Sequence, residues 1–276
     1  MGFPIAGQAA SRVPRLAVRH GAGEAGERAV ADEVPVAFTY NRATYAVMMA
    51  SPADLRDFAY GFSRTEGVIG AQADILEYEA VTVAEGIELR LWLAPERLEA
   101  IEARRRHLAG PTGCGLCGIE SLAEAARASA RAGAGTALTP AQIHTAMAAM
   151  AARQTLGAVT RAAHAAGFWR PGAGLVAVRE DVGRHNALDK LAGALLLGGE
   201  DAARGAVLLT SRVSVEMVQK SAAIGAAIVI AVSAPTALAI RTAAAANITL
   251  VAIAREDGFE VFTGAQRVVL EISDAL

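Results

Sequence analysis

Ala227-Ile228-Val229-Ile230-Ala231-Val232, followed after Pro235 by a helical pattern from Thr236 to Ala246 and by a second apolar run from Ile248 to Ile253, decides the fold. The same alternation extends upstream. Strands are expected at Leu175 to Val178 and Ala206 to Leu209, with helices near Asn186 to Leu197 and Val215 to Ile224. Apolar runs spaced by helices predict a mostly parallel sheet covered on both faces. Ligands of such sheets bind beyond the carboxyl ends of the strands.

Three polar stretches sit at those ends. Arg179-Glu180-Asp181-Val182-Gly183-Arg184-His185-Asn186 leads to Asp189-Lys190, a density of polar groups that a plain turn does not need. Thr210-Ser211-Arg212-Val213-Ser214-Val215-Glu216 joins strand to helix, where hydroxyls and a helix N-terminus hold an anion. Ile253-Ala254-Arg255-Glu256-Asp257-Gly258 closes the last strand pair. Each alone reads as a surface loop with a helix cap. Gathered at one edge, they predict a ligand site.

The first half of the chain reads differently. Residues 1–31 mix Ala, Gly, Arg and Glu and are expected to be a flexible tail without the apolar core of a secretory signal. Val34 to Thr39 and Ala43 to Met49 flank Tyr40-Asn41-Arg42 as a β-hairpin. Ser51-Pro52-Ala53-Asp54 then predicts a helix start with Ser51 as N-cap, ended by Gly67. Strands at Ile75 to Val83 and Ile87 to Leu93 and a charged helix from Pro95 to His107 complete an α+β lobe over 32–135. Ser121 to Ala132 is a further helix, Gly133-Ala134-Gly135 a hinge, and Thr139-Pro140 a capped start, with Ile143, Met147 and Met150 as core. The α/β lobe spans 136–276.

The net charge of −2 and the 53% apolar content exclude a wholly disordered chain and give no electrostatic footprint for nucleic acid. No run of 18 apolar residues suits a membrane span, and a cytoplasmic protein is expected. Both cysteines lie in Gly113-Cys114-Gly115-Leu116-Cys117-Gly118, inside a loop over 108–120. So glycine-rich a setting brings sulfur up to another molecule rather than into a core. A lone CxxC fits dithiol exchange, metal binding or sulfur carriage. Zinc would need His164 and His185 as further ligands, and no second paired-ligand motif is present. Arg104-Arg105-Arg106-His107 either complements a helix C-terminus, or lowers a thiol pKa and meets phosphates.

Cys114-Gly115-Leu116-Cys117-Gly118, Ala177 to Lys190, Ser211 to Lys220, Ser233-Ala234-Pro235-Thr236 and Thr65-Glu66-Gly67 together resemble the FdhD family, over about Val34 to Arg267. The resemblance implies a cytidine-deaminase-like three-layer α/β/α core with a smaller N-terminal α+β lobe, assembled as a homodimer. It implies a sulfurtransferase that accepts sulfur as a persulfide from a cysteine desulfurase. The sulfur passes to the bis-guanylyl molybdenum cofactor, Mo-bis(molybdopterin guanine dinucleotide), before that cofactor enters the formate dehydrogenase catalytic subunit. Cys114 matches the persulfide-bearing cysteine and Cys117 its partner. Ile253, Ala254, Arg255, Glu256, Asp257 and Gly258 match the cofactor-binding segment, with Arg184, His185, Asn186 and Ser211 as further contacts and a guanine nucleotide as a mimic. The alternative is a non-catalytic chaperone that binds and delivers the cofactor. The chain departs from the family's Thr-Gly-Gly-x-His, reading Thr160-Arg161-Ala162-Ala163-His164, and it places Glu256-Asp257 where a polyanion is expected. The zinc signature of the deaminases, His-x-Glu with Pro-Cys-x-x-Cys, is absent from the sequence.

Overall fold

A computed structural model describes residues 7–99 and 130–270. Cys114, Cys117, the loop over 108–120 and Arg104 to His107 lie outside the described residues. So does most of the expected helix from Ser121, whose last residues, 130–132, are not helical.

The N-terminal lobe follows its pattern. Strands β3 (Val34–Tyr40) and β4 (Ala43–Ala50) form a hairpin whose turn puts Asn41 at φ 46° and Arg42 at φ 70°. With β5 (Ile75–Val83) and β6 (Gly86–Leu93) they make a four-stranded sheet in the order β4-β3-β6-β5. Helix α1 (Leu55–Thr65) packs on it through rings, Phe38 stacking on Phe62 at 4.1 Å and meeting Phe58 edge-on at 4.9 Å. Each such buried ring contributes about 2–3 kcal/mol.

The second lobe is built on a six-stranded sheet in the order β12-β11-β10-β9-β7-β8. Its strands are β7 (His164–Arg170), β8 (Gly174–Asp181), β9 (Ala206–Leu209), β10 (Ile228–Ala231), β11 (Thr249–Arg255) and β12 (Gly258–Thr263). Helices α4 (Arg184–Leu197), α5 (Val215–Ala223) and α6 (Ala237–Ala245) cover one face, and α2 (Pro140–Ala151), followed by the short α3 (Thr155–Thr160), covers the other. Alternation along the strands serves both faces: Val207 and Leu209 pack with the first group, Ala206 and Leu208 with α2. Thr139 caps α2 by accepting from the Gln142 amide, in a capping box.

The structure differs from expectation at five places. Only β9, β10 and β11 are parallel; β7, β8 and β12 pair antiparallel, so the sheet is mixed. Strand β7, Ala- and Gly-rich, was not anticipated, and it joins β8 to β9. Residues within the expected flexible tail form a hairpin, β1 (Ala10–Arg19) and β2 (Ala22–Ala31), paired in register along its length and tied at its base by Ser11 donating to Asp32. Ser51 does not cap α1, whose N-cap is Asp54 in the left-handed region at φ 52°. The Gly133–Gly135 segment is also no free hinge. Arg267 donates to the Ala134 carbonyl at 2.6 Å and the Gly133 carbonyl at 2.9 Å, holding it on the second lobe. Among the described residues no helix is long and apolar enough to cross a membrane.

The two lobes meet where α1 crosses α4. A Cβ on Gly61 would lie 1.7 Å from the Asp189 carbonyl oxygen, and one on Gly193 would lie 1.8 Å from that of Asp57. The helices touch backbone to backbone. Gly193→Ala is therefore expected to force them apart and to lower stability by about 3 kcal/mol or more, measured from the denaturant midpoint.

Candidate functional site

Parallel strands β9, β10 and β11 end at one edge, at Leu209, Ala231 and Arg255. Strand β7 runs against β9 and so begins there, with His164 opposite Asp181 at the end of β8. Asp181 to Asn186, Thr210 to Glu216, Ser233 to Thr236 and Arg255 to Gly258 consequently line a single edge. Neighbouring stretches touch through a Val213–Pro235 bridge and an Ile253 amide donating to the Ser233 carbonyl at 3.4 Å. From β8 to β11 is four strand spacings, about 19 Å, so the edge is elongated.

At the β8 end the turn is fastened to the N-terminal lobe by buried charge. Asp181, fully buried, accepts from Lys190 Nζ at 2.6 Å, the Ser51 amide at 3.0 Å, the Gly183 amide at 2.8 Å and Asn186 Nδ2 at 2.9 Å. Lys190 also donates to the Ser51 carbonyl at 2.9 Å, and its ammonium lies over the Phe58 ring. The Ser51 hydroxyl accepts from the Val182 amide at 3.2 Å. Such saturation replaces the hydrogen bonds to water that burial removes.

A second group stands at the other end of α1. Lys220 donates to both oxygens of buried Asp189 at 3.0 and 3.1 Å, to Glu66 at 2.9 Å and to Thr65 at 3.1 Å. Burial alone would lower the Lys220 pKa, but the Asp189 and Glu66 carboxylates outweigh it and raise it above the usual lysine range. Burial pushes the Asp189 carboxyl up, against Lys220 and the Thr65 hydroxyl, which favour its charged form.

The remaining polar groups of the edge stand on its solvent side. His185 Nε2 lies 3.1 Å from Glu216 Oε2, which also accepts from the Ser214 hydroxyl at 2.9 Å. Arg184 Nε is buried with no hydrogen-bond partner. Burial first, then the Arg184 charge, lowers the pKa of both His164 and His185; Asp181 and Glu216, respectively, act in the opposite sense. Helices α4 and α5 begin here with no side chain capping their amides. A guanidinium and two helix N-termini suit an anion. A neutral imidazole held by a carboxylate suits proton transfer.

The expected contacts divide. Arg184 and His185 stand at the edge, and Arg255, Glu256 and Asp257 are exposed in the turn before Gly258. Ile253 takes φ 52° at an irregularity between β11 and β12, while Ala254 is buried in the core facing α2. Both protons of the Asn186 amide are engaged, by the Met49 carbonyl and Asp181, and buried Ser211 donates to the Arg212 carbonyl. These two position the edge rather than present a free group. Ser51 and Thr65 were not anticipated as partners of the site, because only folding brings them to residues far downstream. Arg161 sits at φ 57°, in the left-handed region, where the family's glycine is unstrained. Among the described residues no cluster of three or more His, Cys, Asp or Glu side chains is placed to hold a metal ion.

Comparison with known proteins gives one consistent answer. The model of the FdhD/NarQ family matches residues 31–269. The sulfur carrier protein FdhD of Agrobacterium fabrum is 54% identical over 94% of this chain and 96% of its own length. That of Cupriavidus necator is 50% identical over 88% of this chain and 85% of its own. The crystal structure of a protein from Desulfotalea psychrophila, assigned as a formate dehydrogenase accessory protein, superposes with a TM-score of 0.75 at 27% identity, covering 95% of this chain and all of that one.

Two outcomes are expected from the charged groups. Lys220→Met leaves Asp189 buried without its cation and should cost about 3–5 kcal/mol; adding Asp189→Leu should recover most of it, as read by chemical denaturation. His164 and His185 have folded pKa values below their unfolded value of about 6.5. The unfolded chain therefore binds more protons as pH falls through that value, and their contribution to stability, full above it, is lost below it. The melting temperature of His185→Asn should fall less between pH 7 and pH 5 than that of the parent.

Proposed function

This chain belongs to the FdhD/NarQ family, and on that premise we propose that it is a sulfur carrier protein serving formate dehydrogenase. The observation that carries the reading is the single edge on which Arg184, His185, two uncapped helix N-termini and the Arg255 to Gly258 turn are aligned. An elongated, phosphate-bearing substrate matches that layout better than a compact one. The bis-guanylyl molybdenum cofactor is such a substrate, and a guanine nucleotide is its mimic. The three-layer arrangement of sheet and helices agrees with the deaminase-like core that the resemblance implies.

In this scheme the Cys114 thiolate attacks the terminal sulfur of a persulfide on a cysteine desulfurase. The desulfurase S–S bond breaks, its thiolate leaves, and Cys114 carries the sulfur. Cys117 then attacks the inner sulfur of that persulfide, releasing the terminal sulfur to the bound cofactor and leaving a Cys114–Cys117 disulfide that a dithiol reductant reopens. Arg184 and the N-termini of α4 and α5 hold the cofactor's phosphates. His185, kept neutral and oriented by Glu216, takes up or returns the thiol proton. The protein works in the cytoplasm as a homodimer and hands the loaded cofactor to the formate dehydrogenase catalytic subunit.

The intact mass after incubation with a cysteine desulfurase and cysteine tests this. Wild type should gain about one sulfur mass, and Cys114→Ala should gain none. No gain in any form would leave delivery of the cofactor without sulfur transfer as the account.

A further inference from the structure

At the opposite edge of the six-stranded sheet, where β7 ends and β9 begins, there is an open cavity of about 410 Å³. It is lined by Gly135, Thr136, Arg170, Pro171, Ala203 and Arg204. Three separate segments supply those residues. Arg170 ends β7, Arg204 ends the 3-10 turn Ala202–Arg204 before β9, and Thr136 is tied to that turn by its amide donating to the Ala203 carbonyl at 3.1 Å. Both charged groups on its wall are guanidinium cations.

Among the described residues no nearby carboxylate accepts a hydrogen bond from either guanidinium. Asp201 caps its own turn by accepting from the Ala203 amide at 3.0 Å. Glu200 forms an ion pair with Arg170, 3.6 Å from its Nε and too long for a hydrogen bond, and that Nε is buried with no hydrogen-bond partner. A buried guanidinium N–H without an acceptor costs stability unless something supplies one. The Thr136 hydroxyl has only a 3.5 Å contact with the adjacent Ala137 carbonyl, and so has a proton to offer. Gly135, at φ 68°, packs so closely on Ala227 that a Cβ there would lie 2.3 Å from that side chain, and Arg267 fixes the carbonyls just before it. The wall is thus set before any ligand arrives.

We propose that this cavity binds a diphosphate group, free or carried by a nucleoside, independently of the edge that holds Arg184 and Arg255. Two guanidinium groups on the wall of one cavity match two adjacent phosphates, since a guanidinium offers paired N–H donors to a phosphate. Pro171 gives an apolar wall for whatever the diphosphate carries. The volume lies within the range of small-molecule sites.

The test is titration calorimetry of the full chain with inorganic pyrophosphate and, separately, adenosine diphosphate, at low ionic strength. Arg204 is exposed, so Arg204→Ala keeps the fold, which a matching melting temperature verifies. Pyrophosphate should bind wild type, and Arg204→Ala and Arg170→Gln should each weaken it at least ten-fold. Tighter binding of adenosine diphosphate would assign the nucleotide-borne group; equal or weaker binding would assign the free one. The proposal is overturned if wild type shows no saturable binding in the millimolar range. It is equally overturned if Arg204→Ala binds as wild type does, including the case in which only Arg184→Gln weakens binding.

Discussion

Backbone contact between α1 and α4 is the constraint from which the arrangement of this protein follows. Gly61 faces Asp189 and Gly193 faces Asp57, so the helices run in opposite directions with no side chain between them at the crossing. Separation at that distance leaves no room for water along the seam. Polar side chains flanking it must find partners within the protein or not be there. Asp181, Lys190, Asp189 and Lys220 are there, and each has several.

Such pairs are weak arguments for stability in themselves, since apolar residues of the same volume would often do as well. Their value lies in geometry. Asp181 accepts from four donors contributed by Ser51, Gly183, Asn186 and Lys190, and only one backbone path through Val182 and Gly183 satisfies all of them. The same path places Arg184 and His185, both half-buried, at the edge. The electrostatics inside the protein thereby fix the position of the groups at its edge.

Much of this was legible in the sequence where the signal is local. The Asn41-Arg42 turn, the Thr139 capping box, the helical stripe of Ile143 and Met150, and the strand–helix alternation after Ala206 each follow from residues within a few positions of one another. Strand β7 was not, because His164-Ala165-Ala166-Gly167-Phe168-Trp169-Arg170 has little β propensity and is a strand only because β8 and β9 offer it two partners. Its Gly167 leaves space that Met150 fills, with the sulfur 3.2 Å from where a Cβ would be. Ser51 carries a convincing local signature of a helix cap, and a tertiary partner took it instead. The polar stretches at the strand ends could be named from sequence, but which members face solvent and which hold the frame could not. Asn186 and Arg184 are two positions apart and do opposite things.

Ser51 finds its partners 130 and 139 residues downstream, and Thr65 meets Lys220 155 residues on. A ribosome adding about 5–20 residues per second takes roughly seven to thirty seconds to cover that interval. Until α4 has been made, the backbone seam at Gly61 has nothing to close against. The N-terminal lobe therefore depends for its closing contacts on chain made well after its own last strand.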